Sequence, residues 1–336
     1  MSTVKEVAKH ANVSTATVSR VLNDMPNVTA DVRARVRKSM LALNFHPNRV
    51  ARSLRTKGTQ VIGLIISDIQ NLFFVSLARG VEDICSRNGY SLILCNTDED
   101  PERERLYLET MRAEYVAGII LASTSETGHD LRLLEGIPVV ALDRLIKDIA
   151  LDTVVTDNVN GAKQAVQHLL SLGHRRIGII CGQQKITTSF ERRLGYEQAL
   201  QEFGLAVDSD LIRYADLRRS SEGQQQAMDL LRLPDPPTAI FTTGTMFVLG
   251  TLSAIREMGL RIPQDVALVT FDEIPWGKLL NPSLTTVPQP TYELGQTAAE
   301  MLMARIADPE RPPTVKRFDL ELIIRESSGP NRNSAV

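Results

Sequence analysis

TVKEVAKHANVSTATVSRVLN, residues Thr3 to Asn23, contains two short helical patterns around a tight turn. Thr3 and Glu6 have the Ser/Thr-x-x-Glu spacing of a capping box, which satisfies two orphan N–H groups at a helix start. Val4, Val7 and Ala8 then form one apolar face. Asn12 and Val13 interrupt it, and Ser14 is placed to cap a second helix with Val18, Val21 and Leu22 on its inward side. The outward side carries Thr15, Ala16, Thr17, Ser19 and Arg20, which are small or polar except for one guanidinium.

A helix lying in the DNA major groove needs short side chains at its N-terminal end, where backbone meets base edges and phosphates, and a forked donor for guanine. The second helix offers both. A small helical hairpin with no ligand would have the same local chemistry, because Ser and Thr are ordinary near caps. Charge separates the two readings. Residues 1–60 hold eleven Lys or Arg against three acids, a balance of +8, while the other 276 residues hold 27 basic against 37 acidic groups, a balance of −10. The net charge of −2 therefore conceals a basic head on an acidic body, the footprint of phosphate binding.

At 336 residues the chain exceeds one comfortable core, and 43% apolar content suffices for a globular body. Lys5, Glu6, Lys9 and His10 break any apolar run at the start, so neither a signal peptide nor a membrane span is expected, and the cytoplasm is the expected location. Cys85, Cys95 and Cys181 are distant and odd in number, and the five His are dispersed without an i, i+4 pair. Neither disulfides, a metal site nor a cofactor is expected.

Past Gly58 the pattern changes to alternating strand and helix. Val61–Ile66, Ser91–Asn96, Gly118–Ser123 and Pro138–Asp143 read as buried parallel strands, with helices near 74–88 and 101–114. A second series comprises Ile177–Gly182, Leu211–Asp216, Ala239–Thr243 and Val266–Phe271, with helices near 160–172, 193–203, 221–231 and 247–258. Two runs of β-α units imply two doubly wound subdomains.

Ligands of such sheets bind beyond the carboxyl ends of the strands. Those positions hold Phe73, Phe74, Ser123, Asp143, Arg144, Thr188 to Arg192, Asp216 to Arg218, Gly244, Asp272 and Trp276. Carboxylates accept paired hydroxyls, guanidinium groups donate to oxygen, and aromatic rings cover a sugar face, so a sugar-sized ligand between the lobes is expected. Each residue also has a structural alternative. Phe73 and Phe74 suit the core at a helix start, Asp143 and Asp272 suit caps, Arg192 suits the surface, and Trp276, the one Trp, suits a loop closure.

VKEVAKHANVSTATVSRVLN followed by FHPNRVARSLRTKGTQVIGLI resembles the LacI/GalR family of bacterial transcriptional regulators, over residues 3 to about 325. The resemblance implies an all-α helix-turn-helix head (1–46), a hinge helix and linker (47–60) and an α/β effector-binding and dimerisation domain like the periplasmic binding proteins (61–330), before a tail (331–336). It places the N-subdomain at about 61–158 plus 289–318 and the C-subdomain at about 159–288 plus 319–330.

The same resemblance assigns base reading to Thr15, Ala16 and Arg20, and phosphate positioning to Ser14, Thr17 and Asn23. It assigns a DNA-ordered hinge to Asn48, Ala51, Leu54 and Arg55, with Leu54 wedged into the minor groove. It makes Phe73, Phe74, Asp143, Arg192 and Asp272 effector ligands, and the strand-end positions add Ser123, Thr188, Arg218 and Trp276 to the candidates. The chain departs from the family in three places. Gly244 stands where Asn is frequent, Arg218 where some members carry an aromatic ring, and Phe45 where Tyr is common. Arg192 and Arg218 in one pocket would suit a sugar acid or sugar phosphate.

The expected protein is a homodimeric repressor of a near-palindromic double-stranded operator, controlled by a small metabolite. No leucine heptads follow Arg325, so a dimer and not a tetramer is expected. A sugar-binding transport protein would share the two-lobed body but begin with a secretion signal. An enzyme would need a nucleophile with its base, a phosphate loop or a metal cluster, and the sequence offers none.

Overall fold

The structure is a computed structural model that describes residues 2–22, 25–45, 59–134, 136–216 and 219–329. Asn23, Asn48, Ala51, Leu54, Arg55 and Arg218, most of the expected hinge and the tail lie outside the described residues. The chain divides into two units, Met1–Thr59 and Gln60–Val336.

In the first unit α1 spans Val4–Ala11, α2 Thr15–Leu22 and α3 Ala30–Ala42. The capping box forms as its spacing predicts: the Glu6 N–H donates to Thr3 Oγ1 (3.3 Å) and the Thr3 N–H donates to Glu6 Oε2 (2.7 Å). Asn12 ends α1 in the left-handed region (φ 51°), a conformation Asn tolerates better than most residues. Val7, Ala8, Ala11, Val18, Val21 and Val36 are buried together, with Phe45 also in that core. The sequence reading leaves α3 unassigned because Val32, Val36 and Met40 stand alone among five cationic or acidic neighbours.

In the second unit β1 (Val61–Ile66), β2 (Ser91–Asn96), β3 (Gly118–Leu121), β4 (Val139–Leu142), β5 (Asp152–Thr156) and β11 (Val315–Phe318) form a sheet of order β11-β5-β4-β3-β1-β2. β6 (Ile177–Cys181), β7 (Ile212–Tyr214), β8 (Ala239–Thr242), β9 (Ala267–Phe271) and β10 (Thr285–Val287) form a second, of order β10-β9-β8-β6-β7. All pairings within both sheets are parallel, and in each sheet the strand order reverses beside the first strand. β5, β10 and β11 are additions to the sequence reading. The first two are short and rich in Thr, and β11 is a largely exposed edge strand, so none presents a buried apolar run.

The helices are α4 (Leu72–Arg87), α5 (Pro101–Ala113), α6 (Asn158–Ser171), α7 (Thr187–Glu202), α8 (Ser220–Leu231), α9 (Thr245–Glu257) and α10 (Thr291–Ala307). α4, α6, α7 and α9 begin earlier than their apolar periodicity suggests, α7 by six residues. Thr187, Thr188 and Ser189 of its first turn are polar and buried. α10 crosses α4 so closely that a Cβ at Gly295 would lie 2.1 Å from the Leu77 carbonyl oxygen. The chain passes between the sheets three times, after β5, after β10 and after β11. The crossovers are tied together: the Asp157 N–H donates to the Phe318 carbonyl (2.9 Å), and Thr156 Oγ1 donates to Gln289 Oε1 (2.7 Å).

Candidate functional site

Between the two sheets of the second unit, at the carboxyl ends of their strands, lies a cleft with an empty volume of about 550 Å³, part of it open solvent. Two carboxylates define it, one from each lobe. Asp143 follows β4 and Asp272 follows β9, and both adopt left-handed backbone, φ 68° and 72°. Each N–H donates to the adjacent strand at 2.9 Å, Asp143 to Val154 of β5 and Asp272 to Val287 of β10. The two lobes thus build the same turn, and such turns persist where the surrounding structure holds them. Both side chains face the cleft and are over nine-tenths buried.

Burial pushes the Asp143 carboxyl up to about 6, against the pull of Arg144 and Arg192, with the charges of Asp272 and Glu99 adding to the rise. Asp272 accepts from Gln289 Nε2 (2.6 Å) and lies 3.8 Å from Arg192. That guanidinium donates through Nε to Asn158 Oδ1 (2.8 Å) and through Nη1 to the Thr243 carbonyl (2.7 Å). It stacks 3.8 Å from the Phe271 ring centre, so its plane is fixed on three sides. The opposite lobe contributes Phe73 and Phe74, packed edge to face with centroids 4.9 Å apart. Asn71 caps their helix by accepting from the Phe73 N–H (3.1 Å), and it also accepts from Thr245 Oγ1 of the other lobe (3.4 Å).

Nine sequence-derived positions therefore converge: Phe73, Phe74, Asp143, Arg144, Thr188, Ser189, Arg192, Gly244 and Asp272 all line the cleft. The Phe pair belongs to the core of its lobe as well, so both readings of those rings hold. Ser123 and Trp276 do not line it. Ser123 is drawn behind the wall, where its hydroxyl donates to Glu104 Oε1 (2.8 Å). Trp276 packs against the apolar core of the second lobe that includes Ile274 and Leu284. Glu99, Gln289, Asn71, Ser67, Asp68 and Thr245 line the cleft without having been singled out by sequence. They sit on loops and crossovers or, for Thr245, at the first residue of α9, where no periodicity marks them. Ser67 and Asp68 directly follow β1, and that position was the one available signal.

In the first unit α2 keeps Val18 and Val21 inside and leaves Ser14, Thr15, Ala16 and Arg20 exposed. The Thr17 N–H donates to Ser14 Oγ (3.1 Å), which fixes the start of the helix. Phe45 is 8% exposed and serves the core of the head. Among the described residues no group of three or more His, Cys, Asp or Glu is arranged to hold a metal ion, and no helix is long and apolar enough to cross a membrane.

A helix-turn-helix unit on the same chain as a two-lobed α/β body with a polar cleft defines the class of ligand-responsive transcriptional regulators. Residues 3–48 match the family of bacterial regulatory proteins, lacI family, and residues 166–328 match the periplasmic binding protein-like domain. The chain is 39% identical to the ribose operon repressor of Halalkalibacterium halodurans over 336 residues, 99% of each chain. It resembles the solved lac repressor dimer bound to operator and the anti-inducer ONPF, with TM-score 0.87, 26% identity, and 98% of this chain and 99% of that one covered. It also resembles a LacI family transcriptional regulator of Enterococcus faecium with bound ribose, with TM-score 0.73, 30% identity, and 81% and 100% covered. The chain belongs to the lacI family, and it is a DNA-binding transcriptional regulator rather than an enzyme or a transport protein.

Proposed function

We infer that the chain is a cytoplasmic homodimeric repressor that reads a near-palindromic operator and is switched by a neutral sugar held between Asp143 and Asp272. The carrying observation is the charge of the cleft. Asp68, Glu99, Asp143 and Asp272 face two cations, Arg144 and Arg192, both of which are already bonded to protein groups. A polyhydroxylated neutral ligand satisfies carboxylates of this kind by donating paired hydroxyls, whereas an anion meets repulsion. Arg218, the remaining candidate for anion binding, lies outside the described residues. The relatives with ribose in their names favour a sugar of that size.

In this reading the head is 1–46, the hinge 47–60 and the sensor 61–330, with subdomains of about 61–158 plus 289–318 and 159–288 plus 319–330. Thr15, Ala16 and Arg20 read bases, Ser14, Thr17 and Asn23 set phosphates, and Asn48, Ala51, Leu54 and Arg55 order on DNA. Closure of the lobes on the sugar alters how paired hinges meet the operator. A coupling of about 1–3 kcal/mol changes affinity some 5- to 150-fold. Fluorescence anisotropy on a palindromic operator, repeated with D-ribose, other neutral sugars and sugar acids, tests this. A change in operator affinity with a neutral sugar supports the reading. Equal binding to palindrome and random duplex under every condition would reject it.

A further inference from the structure

Glu99 lines the cleft with an unusual backbone and a half-buried, paired side chain. It follows Asp98 in the loop after β2, and both residues are left-handed, φ 53° and 57°. Non-glycine residues adopt this conformation at a cost, and two in succession are maintained only where the surroundings hold them. Arg144 does so. Its Nη1 donates to Glu99 Oε2 (2.8 Å) and its Nη2 to Glu99 Oε1 (2.5 Å), a bidentate pair with side chains 6% and 15% exposed. The same guanidinium donates to the Ser123 carbonyl (2.9 Å) and to Ser67 Oγ (3.3 Å), and its Nε lies 3.6 Å from Asp143. It thereby joins the loops after β1, β2 and β3 at the cleft wall. Without Glu99, this guanidinium would be a cation at the ligand cleft, directly beside Asp143.

We propose that Glu99 is the charge filter of the effector site: by pairing with both Nη groups of Arg144 it neutralises that guanidinium at the cleft wall and restricts the cleft to uncharged ligands. The proposal rests on the sugar-binding reading above and sharpens it to a specificity-determining residue. Glu99 and Arg144 also brace the wall, so a purely structural role must be separated from an electrostatic one. Local charge does this. Removing the Glu99 carboxylate makes the cleft one unit less negative, and removing Arg144 as well returns it to its original value.

Isothermal titration calorimetry of the full chain at pH 7.5 and low salt, with D-ribose, D-ribonate and D-ribose 5-phosphate as probes, reads the effect as the affinity ratio of each anion to ribose. Glu99→Gln is expected to raise this ratio on the order of tenfold or more. Glu99→Gly should do the same. Its φ suits glycine, so that variant folds even if the amide does not. Glu99→Gln combined with Arg144→Gln should return the ratio toward the parent value. An unchanged ratio in both single variants overturns the proposal while the sugar-binding reading stands, and so does an equal rise in the double variant. Failure of the parent chain to bind D-ribose or any other neutral sugar of the operator assay overturns both.

Discussion

Replacing Asp143 with Asn is expected to stabilise the sensor unit and to weaken its effector binding. The folded protein holds the Asp143 carboxyl at about 6 in place of the ordinary 3.8, chiefly through burial. A rise of that size means that the ionised form costs the folded state up to about 3 kcal/mol relative to the protonated form. The contribution of this group is fully favourable below pH 3.8 and is lost as pH rises through about 6. Asn mimics the uncharged form, and it tolerates the left-handed backbone at this position (φ 68°). At pH 7.5 the variant should gain about 1–3 kcal/mol, raising Tm by roughly 3–10 °C for a unit of this size. At pH 4.5 the parent carboxyl is mostly protonated in the folded state, and the gain should fall to about a third.

Binding should move the other way. A carboxylate accepts two hydroxyls in charge-assisted bonds, and its loss should weaken a sugar by about 10- to 100-fold. Thermal unfolding of parent and variant at both pH values, with calorimetric titration at pH 7.5, reads both effects. A variant less stable than the parent at pH 7.5, or equally stabilised at both pH values, would refute the burial argument.

Arg20→Ala is expected to weaken binding to the cognate palindrome by about 1–3 kcal/mol while leaving random-duplex affinity nearly unchanged, measured by anisotropy at fixed salt. A uniform loss on both duplexes would instead assign Arg20 to phosphates. Gly295→Ala places a methyl 2.1 Å from the Leu77 carbonyl oxygen and must push α10 off α4, so a loss of at least about 1–3 kcal/mol is expected in thermal unfolding. An unchanged Tm would argue against so close a crossing. His174 is buried between Thr238 Oγ1 (2.9 Å) and the Gly329 carbonyl (3.0 Å), and burial lowers its pKa. Its contribution is present above pH 6.5 and is lost as pH falls through the lowered value, so His174→Gln should flatten the acid limb of the stability profile.

Much of the cleft lining was legible in the sequence because the fold class carries a rule with it. Phe73, Phe74, Asp143, Thr188, Arg192 and Asp272 follow recognisable strands or open the next helix, and parallel sheets bind at those ends. The same rule also pointed to Ser123 and Trp276, which do not line the cleft. Proximity to a strand end does not say whether a side chain turns toward the cleft or away from it, and Glu104 and the Ile274 core draw these two away.

By itself the sequence determined the helix-turn-helix head, through caps and apolar spacing local to Thr3–Leu22, and the β-α alternation of the body, through runs of buried apolar residues. It also carried the charge contrast between the two. Tertiary structure alone decided which distant groups meet. Glu99 pairs with Arg144 across 45 residues, and Gln289 bridges Thr156 and Asp272 across more than a hundred. Hydrophobic periodicity records which face of an element is buried. The pairing of a buried carboxylate with its guanidinium depends on how three crossovers bring the strand ends together, and no local pattern encodes that.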